Sequence, residues 1–277
     1  MPAQLEPESG AAAGAILEPD AAVHHLDDAL ADRETVAPGE TIFVGARAFI
    51  SKNDIVKIKS LSIDGPSTWN ITAAETPRSN SPAFVSREPG DSAAYFNVTV
   101  PGAWQPTEPY WLMEPRDGDL FRWNSAPEAH TLPFQPRPIK LNAVLDVLGT
   151  EIVLERPIEY RFADDVRGEI RRNIDVVPPI SVEMDQSMLI VPYSEKEQKA
   201  RVSMTVTNHS VKPVSGTLDL NISAPGEWNY TSPQKTFSLT RTGERSVVTF
   251  EITIPPATKP GRYRISGNAK AGETTAA

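Results

Sequence analysis

One ordered set of short motifs occurs twice in this chain, and that repetition limits it to folds built from two related halves. Trp69-Asn70-Ile71-Thr72 has a counterpart in Trp228-Asn229-Tyr230-Thr231, and each tryptophan follows a glycine–proline turn, at Gly65-Pro66 and Pro225-Gly226. Downstream, Tyr95-Phe96-Asn97-Val98-Thr99-Val100-Pro101 matches Thr249-Phe250-Glu251-Ile252-Thr253-Ile254-Pro255. Pro109-Tyr110 and Pro260-Gly261-Arg262-Tyr263 then each open a further segment. Turn, tryptophan, alternating apolar run, proline and aromatic keep the same order both times, as two copies of one structural unit would.

In the alternating runs, residues two apart share a face. Phe96, Val98 and Val100 are therefore expected to enter one core, and Phe250, Ile252 and Ile254 another. Burying each such side chain contributes about 1.5–3 kcal/mol. Pro101 and Pro255 end the runs because proline brings no donor to a ladder. Similar strand-like runs recur at 41–50, 55–63, 69–73, 94–100, 110–113, 140–147, 151–155 and 158–162. After Val177-Pro178-Pro179 a second series follows at 180–184, 187–192, 199–207, 215–222, 235–240, 246–254 and 261–268. Many short strands separated by turn residues, with no helical period between them, indicate antiparallel sandwiches. The 26 prolines argue the same way, since proline breaks helix interiors and collects at strand ends and turns.

The expected fold is all-β: two tandem antiparallel immunoglobulin-like β-sandwiches with a short N-terminal linker helix. Residues 1–19 form a leader with little to pack, expected to be disordered. Residues 20–37 hold the linker helix, with Asp20 as N-cap and Val23, Leu26 and Leu30 on one face. The first sandwich is expected over 38–177 and the second over 178–277, with Pro178-Pro179 as a semi-rigid spacer.

Composition removes several function classes. Net charge is −9, and no Lys/Arg stripe marks a phosphate-binding surface, so no nucleic acid partner is expected. No apolar run reaches the length of a membrane span, and the Gly10–Leu17 opening lacks the basic flank of a signal peptide. The absence of cysteine excludes disulfides, thiolate zinc sites and cysteine nucleophiles. Five Asn-x-Ser/Thr sequons begin at Asn70, Asn97, Asn208, Asn221 and Asn229, and they read as ordinary strand and turn composition in a chain without disulfides.

Candidate chemistry is sparse. His24 and His25 point about 100° apart on a helix and do not chelate one ion together, although His24 with Asp27 or Asp28 is sterically feasible. His130 and His209 have no partner at triad-like spacing. Asp117-Gly118-Asp119 lacks the further acidic ligands of a calcium loop. No catalytic, cofactor-binding or metal residue is therefore assigned, and no cofactor is expected. The aromatics Trp104, Tyr110, Trp111 and Trp123, with Phe121, crowd into one stretch. They read first as cover for a neighbouring domain or loop and second as a glycan-contacting platform.

Three runs carry a family resemblance. They are Pro109-Tyr110-Trp111-Leu112-Met113-Glu114-Pro115, Arg156-Pro157-Ile158-Glu159-Tyr160-Arg161-Phe162 and Val176-Val177-Pro178-Pro179-Ile180-Ser181-Val182. Together they resemble the C-terminal β-rich region of bacterial PIG-L (LmbE-type) deacetylase polypeptides, and the second unit resembles the NPCBM-associated Ig-like domain. The family's zinc motif, Ala-His-Pro-Asp-Asp-Glu, is not matched by His25-Leu26-Asp27-Asp28-Ala29. The resemblance thus implies a non-catalytic accessory portion lacking the catalytic domain. It also implies a deacetylase domain or another glycan-processing protein as partner and a periplasmic or secreted location. The alternatives are a glycan-binding module using the aromatics of 104–123 and, third, a fragment of a zinc-dependent deacetylase with residual activity.

Overall fold

The computed structural model describes residues 29–48, 50, 54–74, 92–124, 129, 132, 136–223, 234–272 and 274–276. Among them the chain is all-β, built almost wholly of antiparallel strands in sandwich arrangement. Two clusters of buried apolar side chains divide it, one ending at Val176 and the next beginning at Ile180.

Around the first core run β1 (Ala29–Ala31), β2 (Thr35–Val36), β3 (Thr41–Ala48), β4 (Val56–Asp64), β5 (Asn70–Ala74) and β6 (Ser92–Thr99). They are followed by β7 (Lys140–Val147), β8 (Thr150–Asp164), β9 (Gly168–Asn173) and β10 (Asp175–Val176). Eight of these form one sheet in the order β4-β7-β8-β1-β3-β6-β5, with β9 also on β8. The early half of β8 pairs with β7, and its later half pairs with β9 and β1. The sheet changes direction along this one long strand and brings β4 back towards β6. The short β2 and β10 pair in parallel beside it. Period two is obeyed inside: Ile42, Val44 and Ala46 face the core with Phe96, Val98 and Val100, opposite Leu141, Ala143 and Leu145.

The second core lies between two sheets. One holds β11 (Ile180–Met184), β12 (Gln198–Asn208) and β15 (Arg245–Ile254), in that order. The other holds β13 (Val214–Ser223), β14 (Lys235–Leu239), β16 (Arg264–Ala271) and β17 (Thr274–Ala276), ordered β14-β13-β16-β17. Val202, Met204 and Val206 meet Leu218, Leu220 and Phe237, with Phe250 and Ile252 of the expected trio packed among them and Ile254 buried as well.

Three local expectations are corrected. The helix expected over 20–37 does not extend through its described part: Ala29–Ala31 and Thr35–Val36 are strands, and residues 20–28 lie outside the described residues, as does the 1–19 leader. A helix of about three turns is marginal alone. β1 instead inserts between β3 and β8, where its backbone groups find partners on both sides. Ala31, Val36 and Ala37 consequently belong to the first core rather than to a linker. The run at 110–113 is one turn of 3-10 helix, Tyr110–Leu112, entered through Pro109. The run at 187–192 makes no strand at all.

The joint between the cores is polar and specific. Gly39, at φ +81°, turns the chain so that Glu40 points away from β3 towards the second core. One Glu40 oxygen accepts hydrogen bonds from the Ser210 hydroxyl at 2.6 Å and the Val211 N–H at 2.9 Å. The other accepts from the Ala37 N–H at 3.4 Å and lies 3.5 Å from the Arg33 guanidinium. Asn208 supports this loop: its side-chain N–H groups reach the Lys212 and Arg241 carbonyls, and its oxygen accepts from the Ser210 N–H. With that amide fully engaged and the residue 0% exposed, the sequon at Asn208 presents nothing to a glycosylating enzyme in the folded chain.

Candidate functional site in the excursion between β6 and β7

The chain leaves the first sheet at Pro101 and rejoins it at Lys140. Eight prolines lie from 101 to 138, each without a ladder donor, and the described residues of this stretch stay outside the sheet. It is stitched down near its start: the Thr107 N–H donates to the Val176 carbonyl at 2.7 Å, and the Val176 N–H to the Thr107 hydroxyl at 3.0 Å. Next to this stitch, burial and the nearby Glu34 carboxylate push the Asp175 carboxyl above its ordinary range, with Arg137 opposing.

The four aromatics expected to act together separate into two places. Trp104 turns inward, half-buried against the first core, with its ring edge-on to Trp69 at 5.5 Å and 86°. Tyr110, Trp111 and Trp123 form a second group. Tyr110 is buried at 7% exposure over Ala129, and its hydroxyl donates to the Leu132 carbonyl at 3.1 Å. Trp111 meets Tyr110 edge-on at 5.0 Å and 84°, and Trp123 lies 5.8 Å from Tyr110, tilted by 50°. Trp123 is 39% exposed. Sugar stacking needs an open, flat ring face. Of the two tryptophans, Trp123 is the more exposed, Trp111 is partly buried, and both pack on the Tyr110 ring.

The remaining polar candidates are placed as follows. Asp117 is ion-paired with Arg122 across a tight turn at Gly118, and the Arg116 guanidinium sits 5.5 Å above the Phe121 ring. His209 lies at the joint, with its Nε2 2.8 Å from the Ser181 hydroxyl. Burial, then the positive charge of Arg245, holds its imidazole below the ordinary range. His24, His25, Asp27, Asp28 and His130 lie outside the described residues. Among the described residues, no three histidine or carboxylate side chains gather where they could hold a metal ion. No helix among them is long and apolar enough to cross a membrane.

Two features escaped the sequence reading. Glu40 carries no signal of its role in the sequence, because its partners Ser210 and Val211 are distant in the chain. The run at 187–192 read as a strand, yet Met188 and Ile190 are exposed on the second sandwich. A proline at 192 inside an otherwise strand-like run was the available signal.

Comparison with known proteins adds one family match. Residues 194–272 match the NPCBM-associated, NEW3 domain of alpha-galactosidase. That segment includes all of the second sandwich from just before β12 to the end of β16. No curated protein matches the chain. Among solved structures, it is similar to the native conformation of Escherichia coli alpha-2-macroglobulin, at 15% identity and a TM-score of 0.28, over 90% of this chain and 16% of that one. The D0-D1 domain of intimin gives 12% identity and a TM-score of 0.23, over 90% and 94%. A Salmonella alpha-2-macroglobulin mutant gives 12% and 0.25, over 86% and 14%. The chain thus spans under a fifth of either macroglobulin, and likeness at this level carries no argument about function.

Proposed function

We propose that this chain is a non-catalytic accessory module of a glycan-processing enzyme, holding that enzyme's other parts in a set orientation. The match of residues 194–272 to the NPCBM-associated, NEW3 domain of alpha-galactosidase carries this reading. The distribution of polar groups supports it. The buried polar residues among those described are Glu40, Asn208 and Ser210: Glu40 and Ser210 hydrogen-bond each other across the two cores, and Asn208 braces the loop that carries Ser210. An acid–base centre needs a titratable side chain aimed into a cleft beside a second reactive group. Here the interior carboxylate is committed to structural hydrogen bonds.

The catalytic partner we assign is a PIG-L (LmbE-type) N-acetyl-sugar deacetylase, in the periplasm or outside the cell. The ground for that choice is the resemblance of Pro109–Pro115 and the runs at 156–162 and 176–182 to the C-terminal region of such polypeptides. Polysaccharide contact through Trp123 and Trp111 is a second reading, favoured by the exposed ring of Trp123. Acetate release tests the first. The purified chain alone should release none from N-acetylated oligosaccharides. Fused to an LmbE-type catalytic domain, it should raise turnover on polymer while leaving turnover on monomeric N-acetyl sugar unchanged. Acetate from the chain alone, or equal enhancement on both substrates, would overturn the proposal. Loss of the polymer effect in Trp123→Ala would transfer the credit to glycan contact.

A further inference from the structure

In the second sandwich the strand β12 is longer than its neighbour on one side. β11 pairs only with Met204–Asn208, its Met184 standing opposite Met204, whereas β15 continues along β12 as far as Gln198. The portion of β12 from Gln198 to Val202 therefore has a sheet partner on one edge only. The pairing shows which backbone groups are left over. The Asp185 N–H donates to the Ser203 carbonyl and the His209 N–H to the Pro179 carbonyl, so odd-numbered residues of β12 direct their backbone groups to the β11 side. The Asn208 N–H donates the other way, to Glu244. Backbone direction alternates along a strand, and the β12–β15 register runs without a shift. The N–H and C=O groups of Lys199 and Arg201 thus face away from β15.

What lies beyond them is a slot. The chain after Asp185 stands off as an extended arm, and a hollow of about 430 Å³ separates Leu189–Pro192 from residues 198–201. Between its anchors at Asp185 and Ser194 the arm makes no backbone hydrogen bond to β12 among the described residues. On the inner side of the arm a second hollow, about 750 Å³, opens onto Met184, Val202, Ile252, Ile254 and Ile265. The charged side chains lining the two hollows are Lys196, Lys199, Arg201, Lys259 and Arg262, with no carboxylate among them, in a chain of net charge −9. On the outer face Glu251 stands opposite Arg201 and pairs with Lys199 at 2.8 Å, and Glu197 also lies near Lys199. The uncompensated positive charge of the hollows therefore rests chiefly on Lys196, Lys259 and Arg262.

We infer that the open edge of β12 at Lys199–Arg201 is a strand-addition site for an extended partner segment whose side chains alternate between apolar and acidic. Such a segment would hydrogen-bond the free backbone groups of Lys199 and Arg201, continuing the line of β11. Its inward side chains would meet Ala200, Val202 and the larger hollow, and its outward ones would lie beside Lys199 and Arg201. A second copy of this chain fits poorly, because antiparallel pairing of two such edges would set lysine and arginine opposite lysine and arginine. The site's chemistry stands whether or not the chain serves a glycan-processing enzyme.

The test uses the full chain and a short fluorescent peptide of alternating valine and glutamate, with the same peptide carrying lysine for glutamate as control. The glutamate peptide should bind and slow amide hydrogen exchange at Lys199 and Arg201, while the lysine peptide should not bind. Arg201→Pro removes one slot-facing N–H without taking a bond from β15 and should weaken binding about tenfold. Should that variant fail to fold, Val191→Asp, on the arm, should weaken binding similarly. No binding of the glutamate peptide, binding without protection of those two amides, or equal binding of both peptides would overturn the inference. So would self-association of the chain that protects the same amides.

Discussion

At the scale of single residues, the joint sets the terms. His209 sits beside the Glu40 contact, and its imidazole is held below the ordinary range by burial and by Arg245. Its pKa is thus lower in the folded chain than in the unfolded one, so the unfolded state takes up the proton first as pH falls. The stabilisation from keeping His209 neutral is fully present above the ordinary imidazole range and is lost progressively as pH falls through it. Asp175 has the opposite sign, since burial raises its carboxyl and its contribution fades as pH rises through the carboxylate range. Urea unfolding from mildly acid to neutral pH should therefore show stability rising with pH in the wild type and a flatter profile in His209→Gln. The difference between the two proteins isolates the histidine, and identical profiles would show that it is not the group responsible. None of this was legible in the sequence, where His209 has no partner nearby. Its hydrogen-bonded neighbour, Ser181, arrives through the pairing of β11 with β12.

At the scale of elements, what could be read was whatever period two dictates. β7 and β11 fall where the alternation places them, and both expected trios of buried side chains are buried. The misreadings share one cause: their conformation depends on a neighbour. Ala29–Ala31 is a strand because β3 and β8 leave a place for it, and 187–192 is not one because nothing pairs with it. Of the four aromatics read as one group, Trp104 left it because Trp69 and the first core offered a better-packed partner. Glycines within strands mark another such dependence. A Cβ at Gly216 would run into the Lys270 backbone carbonyl and the Phe237 ring, whereas one at Gly267 would meet chiefly the flexible Met204 side chain. Gly216→Ala should therefore destabilise by about 2 kcal/mol or more and Gly267→Ala by about 1 kcal/mol, because backbone cannot move aside as a thioether can. Equal losses in thermal unfolding would contradict that ordering.

At the scale of the molecule, the Pro178-Pro179 pair between the two core clusters was visible in the sequence, but the Glu40 contact that links the clusters was not. Glu40 and Ser210 are 170 residues apart, and only the folded chain brings them to 2.6 Å. A buried carboxylate so engaged favours one geometry, because any other leaves it without its donors. The orienting role proposed above requires such a preferred relation between the sandwiches. The chain contains no cysteine, so spin labels can be placed cleanly at Val153→Cys and Val247→Cys, two exposed positions on different sandwiches. Pulsed electron–electron resonance on that pair should give one narrow distance distribution that broadens when Glu40→Ala is added. A broad distribution with Glu40 still present would contradict the account.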